Sequence, residues 1–266
     1  MKIFLHAGVV LLLLFSHALY AQEKQVEYSI ALVGMNMDYK EYAPELVDSE
    51  SSNTNDIVGY EMRFGFLSPR DENGYNALSF GVMMISGKSD YKGSLLHSGQ
   101  PYGSYVSTTQ NDFIDTDLTL KHFERYNQRW WFIFGLGLGY HAWNRELSST
   151  QKELYEWYSI RPMMGIHLDI DRLNVGLELQ YQKGINPTMK SSSPDLDFTL
   201  GGVDIYEVSI PLKYRINHEI DLFIKTIFSK QEIQKSNYLP SGSYIYYEPD
   251  STSYQNYVKF GVTFKF

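Results

Sequence analysis

Cysteine is absent from all 266 residues of the chain. This absence excludes a disulfide scaffold, a thiolate nucleophile and a zinc site built on cysteine. An excess of basic residues is also missing, because the formal net charge is −8, so no positive field attracts nucleic acid. Histidine, aspartate and glutamate do occur, but no group of them has the spacing of metal ligands. We therefore expect no metal and no other cofactor.

Long apolar runs are missing from most of the chain, and the one near its start is short. It is the segment Val9–Phe15, which follows the basic residue Lys2 and precedes small residues. This pattern is typical of an export signal and is too short for a spanning helix, which needs roughly 20 apolar residues. We expect a signal peptide over residues 1–21, with cleavage at its end or after Ala18, and a single domain over residues 22–266.

What the chain has instead is a repeated two-residue alternation of apolar and polar side chains. In Trp130–Tyr140, for example, the even positions are aromatic or leucine, whereas glycine occupies three of the odd ones. Because successive side chains of a β-strand point to opposite faces, each such segment predicts a strand with one apolar face. The pattern predicts ten strands, near residues 26–39, 58–66, 78–84, 114–120, 130–140, 158–168, 173–181, 206–216, 222–228 and 254–266.

The last of these segments carries the most specific signal. Phe260, Val262, Phe264 and Phe266 share one face, and Gly261 lies on the opposite, polar face. This segment resembles the terminal strand by which Gram-negative outer-membrane β-barrel proteins are recognised by their assembly machinery. The resemblance implies an all-β fold, a transmembrane antiparallel up-and-down β-barrel. It also implies an outer-membrane location, with outer-membrane lipid, lipopolysaccharide and the assembly machinery as partners.

The connections between the predicted strands fit this architecture, because short and long ones alternate. Bacterial outer-membrane barrels have short periplasmic turns, long outer loops and an even number of strands. A soluble β-sandwich would show the same residue alternation and is the alternative fold, and eight or twelve strands are alternatives to ten. The short connections are predicted near 68–75, 125–129, 169–172 and 217–219, and the long ones near 40–55, 88–111, 144–154, 183–202 and 231–252.

The lumen-facing positions of the predicted barrel hold charges of both signs. A barrel of this size is just wide enough for side chains to fill it, so the charges are expected to pair across the axis and to block passage. The alternative is a narrow, water-filled channel. The lumen charge cluster comprises Glu61, Arg63, Asp115, Asp117, His141, Arg161, Glu178, Glu207, Lys213 and Arg215, and Lys121, Lys225 and Lys259 are also predicted to face inward.

One part of this cluster has a predicted register. A turn near Asn127 places Asp115 opposite Gly139, with His141 as its diagonal neighbour. The next connection places Arg161 opposite Gly139 as well. We therefore expect Asp115 and Arg161 to pair across the space that a glycine leaves free.

An enzymatic function is a distant alternative. The omptins are outer-membrane proteases with ten strands that use an Asp-Asp pair and an Asp-His pair near the outer rim. Asp115 and Asp117 are similar to the first pair, and His141 or His97 could serve as a base. The strands and loops after this pair contain no Asp-x-His motif, so the sequence predicts no catalytic residue and no enzyme.

The long loops are the remaining functional surface. The segments 88–111 and 231–252 are rich in Tyr, Ser and Gly, which give large and adaptable contact areas in binding loops. The alternative is that their tyrosines belong to the aromatic girdle of a membrane barrel. The sequence thus favours a protein with a structural or surface-interacting role and a possible extracellular ligand, ahead of a narrow porin-like passive channel.

Overall fold

A computed structural model describes residues 25–42, 47–52, 57–94 and 101–266. The predicted signal peptide, residues 1–21, and His97 lie outside the described residues. Within the described ranges the regular structure consists of β-strands, and no helix is long and apolar enough to cross a membrane.

The strands follow the predicted order but are longer than predicted. They are β1 Gln25–Tyr42, β2 Val47–Ser52, β3 Ile57–Leu67, β4 Gly74–Gly93, β5 Tyr105–Arg125, β6 Trp130–Glu146, β7 Lys152–Ile170, β8 Leu173–Ser192, β9 Asp195–Arg215, β10 Ile220–Ser236, β11 Leu239–Ser241, β12 Tyr244–Tyr246 and β13 Asp250–Lys265.

The wall is a closed antiparallel ring. Each long strand pairs with the next one along the chain, and β13 returns to pair with β1 from Glu27 opposite Lys265 to Tyr42 opposite Asp250. The strands β2 and β3 both lie between β1 and β4, so they share one position of a ring with about ten positions. The predicted all-β, antiparallel, up-and-down barrel of about ten strands is confirmed.

An apolar belt surrounds the inner part of the barrel, which is the part nearest to the short turns. Its side chains are the even-numbered ones that the alternation predicted, such as Leu32, Met62, Phe134 and Phe260, and all four are exposed on the outer surface. A bilayer core is crossed by about 9–11 residues of a tilted strand. Because β5 contains 21 residues, the wall continues well beyond the belt.

This outer extension of the wall replaces much of the predicted loops. Residues 105–113 of β5 lie beyond Ile114, the last apolar side chain of its belt, and add about 20 Å of tilted strand. The loop predicted near 183–202 is wrong, because β8 ends at Ser192 and β9 begins at Asp195. The outward apolar pattern stops where the wall leaves the belt, whereas the hydrogen-bonded ladder continues.

The predicted binding loops are also shorter than expected, because the flanking strands continue into them. Segment 88–111 is strand as far as Gly93 and again from Tyr105. Segment 231–252 is strand as far as Ser236 and again from Asp250, with the hairpin of β11 and β12 between them. The end of the barrel that carries this hairpin is called the outer end below.

The extension can be tested with two single cysteines on the same strand. Thr108 and Leu120 both point outward from β5, Thr108 in the extension and Leu120 in the belt. We expect Thr108→Cys to react with a polar, membrane-impermeant maleimide on intact cells, and Leu120→Cys to remain unlabelled because lipid covers it. The chain has no other cysteine to interfere. Equal labelling of both variants would show that the belt is not embedded in a membrane.

Candidate functional site

The lumen contains a layer of paired charges at the level of the apolar belt. Arg161 donates one hydrogen bond to each oxygen of Asp115, both at 2.8 Å, and a third to Ser159 at 2.7 Å. His141 Nδ1 lies 3.3 Å from Asp115 Oδ2. Arg161 is 5% exposed, so this planar two-bond pairing satisfies a charge that is almost removed from water.

The predicted register of these residues is wrong by two positions. Asp115 lies directly opposite His141, and Gly137, not Gly139, lies opposite Arg161. Arg161 nevertheless reaches Asp115 because its long side chain passes over Gly139, where an added methyl group would collide with the guanidinium. The β5–β6 hairpin is centred one residue later than predicted, and the β6–β7 hairpin is centred one residue earlier. A shift of one residue in the centre of a hairpin moves each partner by two residues, so both pairings change.

A second pair lies beside the first. Arg63 donates two hydrogen bonds to Asp117, at 2.7 and 2.9 Å, and Asp117 also accepts one from Thr119. Glu61 forms an ion pair with Lys259 on the strand two ring positions away. Each carboxylate of this group therefore has a basic partner within hydrogen-bonding distance.

A third group is centred on Glu178, which is buried. Its carboxylate accepts hydrogen bonds from Lys225 at 2.9 Å and Lys121 at 3.3 Å, and His167 Nε2 lies 3.2 Å away. Glu207 is half-buried and lies within Coulombic range of Arg161 and Asp115. These contacts extend the charge layer across the lumen.

Two predicted members of the cluster lie elsewhere. Lys213 lies at the inner end of the barrel, 3.9 Å from Asp221, which is also bound by Lys265. Arg215 is the last residue of β9 and is exposed. The layer thus consists of Asp115, Asp117, His141, Arg161, Glu61, Arg63, Glu178 and Glu207, together with Lys121, Lys225 and Lys259.

Above the charge layer, toward the outer end, the lumen is filled by aromatic rings. We call Tyr39, Phe113, Trp143, Tyr155 and Trp157 the aromatic plug. Each is at most 2% exposed. The ring of Trp143 lies 5.1 Å from Tyr39, 5.3 Å from Phe113 and 5.1 Å from Tyr155. Buried methionine, isoleucine and valine side chains continue this cluster around the lumen.

The sequence analysis did not predict the aromatic plug, although its signal was present. Trp143 continues the odd-numbered, lumen-facing series of Gly139 and His141 on β6. Tyr155 and Trp157 likewise precede Arg161 on the inward face of β7. The long connection predicted near 144–154 adjoins these residues, because the outward face of the wall is no longer apolar at that height.

A group of three carboxylates and one guanidinium caps the aromatic plug. Arg145 is buried and contacts Glu41 at 2.5 Å and Glu153 at 3.1 Å, and its guanidinium lies 4.5 Å from the Tyr39 ring centre. Glu248, also buried, accepts a hydrogen bond from Tyr155 at 2.5 Å. We call Glu41, Arg145, Glu153 and Glu248 the mouth cluster, which sequence analysis also missed.

Burial and mutual repulsion perturb the mouth cluster, which lies outside the belt. Burial raises the pKa of Glu248 well above its usual range, and the neighbouring carboxylates of Glu41 and Glu153 raise it further. Burial also raises the pKa of Glu153, against the opposing effect of Arg145. The raised pKa values mean that Glu153 and Glu248 keep their protons to a higher pH than ordinary surface carboxylates do.

The geometry offers little for omptin-like chemistry. Asp115 and Asp117 are each held by an arginine, and His141 stacks on Trp157 with ring centres 4.3 Å apart. Asp115, Asp117 and His141 all lie on the inner side of the aromatic plug, and His141 is in contact with one of its rings. Among the described residues, no group of three histidine, aspartate or glutamate side chains is arranged to hold a metal ion.

Comparisons with known proteins agree with the architecture. No protein-family model matches the chain, and no curated protein matches it in sequence. The outer membrane protease OmpT from Escherichia coli superposes with a TM-score of 0.58 over 93% of this chain and 99% of its own. The fold is that of an outer-membrane β-barrel. Because OmpT is only 9% identical to this chain, the likeness shows the fold and not an activity.

Two autotransporter domains are more distant matches. The translocator domain of NalP from Neisseria meningitidis has 12% identity and a TM-score of 0.44, over 99% of this chain and 96% of its own. The transport unit of AIDA-I from Escherichia coli has 8% identity and a TM-score of 0.45, over 93% and 92%.

The Asp115–Arg161 pair can be tested by a double-mutant cycle. Asp115→Asn and Arg161→Gln should each lower the free energy of unfolding by roughly 3–5 kcal/mol, because each leaves the other charge buried without its partner. The double variant should lose less than the sum. The matched control is Asp204→Asn, which breaks a pair with the half-exposed Lys183 and should cost about 0–1 kcal/mol. Urea unfolding in detergent measures all four, and additive losses would show that the two residues do not interact.

Proposed function

We propose that this chain is an outer-membrane protein whose barrel is closed to solutes and whose outer extension has a structural or surface-interacting role. The observation that supports the proposal is the aromatic plug, since its five rings, each at most 2% exposed, occupy the lumen toward the outer end. The charge layer beneath it supports the same conclusion, because most of its charges form ion pairs with one another across the lumen. On this proposal the protein performs no catalysis.

The outer end offers a surface for an extracellular ligand. Tyr102 and Val106 are exposed near the start of β5, and Tyr238, Tyr244 and Ile245 are exposed around the β11–β12 hairpin. Exposed aromatic side chains beyond the belt favour contact with another molecule over contact with lipid. The ligand surface within segments 88–111 and 231–252 is therefore proposed to be the outer tips that remain outside the long strands.

Lipid contact is proposed for the belt. A groove of about 810 Å³ runs along the outer wall across β7, β8, β9, β10 and β13. Its outward-facing lining includes Met164, Leu179, Val208 and Phe228, with Tyr206 toward the outer end. An apolar concavity at this height is suited to the hydrocarbon chains of outer-membrane lipid or lipopolysaccharide.

The closing strand supports the proposed encounter with the barrel assembly machinery. Phe260 and Phe266 are exposed on the outer surface, and Phe264 is half-buried on the same face. Gly261 faces the lumen, where an added methyl group would meet Phe223 and the backbone of Ile30. The closing strand thus presents aromatic side chains on the outer surface of the barrel, and Gly261 allows close packing against Phe223 and Ile30 inside it.

Conductance of the refolded protein in a planar bilayer tests the closed barrel. We expect no conductance steps under conditions in which a porin, added as the positive control, gives clear steps. Stable steps from this protein would overturn the proposal and favour the narrow passive channel.

A fluorogenic peptide assay on the same preparation tests the absence of catalysis. We expect no cleavage by the wild type. Cleavage that Asp115→Asn abolishes while the β-structure persists, as measured by circular dichroism, would instead support the omptin-like hydrolase.

A further inference from the structure

The β11–β12 hairpin lies against the outer mouth of the barrel. Two of its side chains, Leu239 and Tyr246, pack on the apolar cluster that includes the aromatic plug. Tyr244 and Ile245 are 53% and 70% exposed. The hairpin thus has one face on the lumen contents and another in solvent, which is the arrangement of a lid.

The base of the hairpin is tied to its own side of the wall. The Ser236 amide donates to the Glu248 carbonyl at 3.0 Å, and the Glu248 amide donates to Ser236 Oγ at 2.8 Å. Asn237 exchanges two hydrogen bonds with Thr199 on β9. These bonds join the two ends of the hairpin to each other and to β9, and the segment between them rests on the apolar cluster through Leu239 and Tyr246.

The side chain of Glu248 makes a tie across the mouth. Its partner, the hydroxyl of Tyr155, is on β7, and β8, β9 and β10 separate β7 from β13 in the ring. The tie therefore reaches from the end of the hairpin to a distant part of the wall. Breaking it would remove the contact that joins the end of the hairpin to β7.

The same hydroxyl is shared by two carboxylates. Tyr155 lies 2.5 Å from Glu248 Oε1 and 3.3 Å from Glu153 Oε2. One hydroxyl has a single proton to donate, so two ionised carboxylates cannot both be satisfied by it. Because Glu153 Oε2 also accepts a hydrogen bond from Arg145 at 3.1 Å, the hydroxyl proton goes to Glu248. A proton on one of the two carboxyl groups would remove their mutual repulsion and could be donated to the Tyr155 oxygen.

The charges around this trio lead to the same requirement. Glu41 on β1, Arg145 on β6 and Glu153 on β7 all face Glu248, and Tyr39 on β1 lies beside them. Three carboxylates and one guanidinium would carry a net charge of −2 if all were ionised. Buried charge that is not paired is costly, so the closed arrangement favours protonated carboxyl groups.

We propose that the β11–β12 hairpin is a proton-dependent lid, held shut over the barrel mouth by a proton shared among Glu153, Tyr155 and Glu248. Loss of the proton places two ionised carboxylates against one hydroxyl beside Glu41, and the hairpin is released. This inference goes beyond the proposed function and does not require it.

The direction of the pH dependence follows from the raised pKa of Glu248. A carboxyl group whose pKa is raised in the closed state stabilises that state fully at pH values below its ordinary pKa. The stabilisation is lost as the pH rises through the raised value. The lid is therefore shut in acid and opens as the pH rises through the raised pKa of Glu248.

Opening the lid would not open the barrel. The rings of the aromatic plug belong to the wall strands β1, β5, β6 and β7, and they stay in place when the hairpin moves. What opening would expose is the outer side of the plug and the inner face of the hairpin. The lid thus controls access to an aromatic surface at the mouth and not passage through the lumen.

The test uses the full chain with a single cysteine as a reporter. Ser251 faces the lumen at the start of β13 and is 3% exposed. The Ser251→Cys variant is labelled with a maleimide at pH values from acid to neutral. Because thiol reactivity itself rises with pH, each rate is divided by that of Thr108→Cys on the outer surface of the same barrel. We expect this ratio to rise several-fold as the pH increases.

Two further substitutions in the Ser251→Cys background distinguish the effect of the Glu248–Tyr155 contact from a general loss of barrel stability. Glu248→Gln keeps a neutral group of the same shape, so the ratio should stay low at every pH. Tyr155→Phe removes the shared hydroxyl with little change in packing, so the ratio should be high at every pH. A pH-independent ratio in the parent, or an unchanged pH response in Glu248→Gln, would overturn the proposal. Circular dichroism confirms that each variant retains its β-structure.

Discussion

The packing of aromatic rings inside the outer half of the barrel is the interaction on which the rest of the structure depends. Trp143 is 0% exposed and contacts rings on both sides, one from β1 and one from β7. These rings separate the lumen charges from water at the outer end. Because little solvent is left to screen them, the charges of Asp115, Arg161 and Glu178 must be satisfied by one another. The packed rings and the paired charges beneath them are thus parts of one arrangement of the lumen.

The outer surface obeys a different constraint. Within the belt, the wall presents leucine, methionine and phenylalanine outward, and polar or small residues inward. Beyond the belt the pattern partly reverses, since Thr108 and Asp112 point outward on β5 whereas Phe113 points into the lumen. A strand that leaves the membrane must exchange lipid for water on its outer face. Its inner face is then free to build an apolar core like that of a soluble protein.

This reversal explains what could and could not be predicted from sequence. Alternation located the belt portions of the ten wall positions, and the inward parity of Arg63, Asp117 and Arg161 followed from it. The alternation did not predict the outer extension, because each strand was expected to end where its series of outward apolar side chains stopped. Trp143 and Arg145 continue the inward parity of His141, so following the lumen face instead of the lipid face would have found them. The contact partners of Glu248 could not be predicted from sequence. Glu248 lies outside the wall strands, and only the folded barrel brings it next to Tyr155.

Truncating one ring inside the barrel and one outside tests the central claim most directly. Trp143 and Phe134 are on the same strand, and Phe134 is 54% exposed on the outer face. The account predicts that Trp143→Ala lowers the free energy of unfolding in detergent by about 3–5 kcal/mol, because it opens a cavity in a packed core. Phe134→Ala should cost much less, since detergent replaces the lost contacts. Equal and small losses for the two variants would contradict a filled lumen.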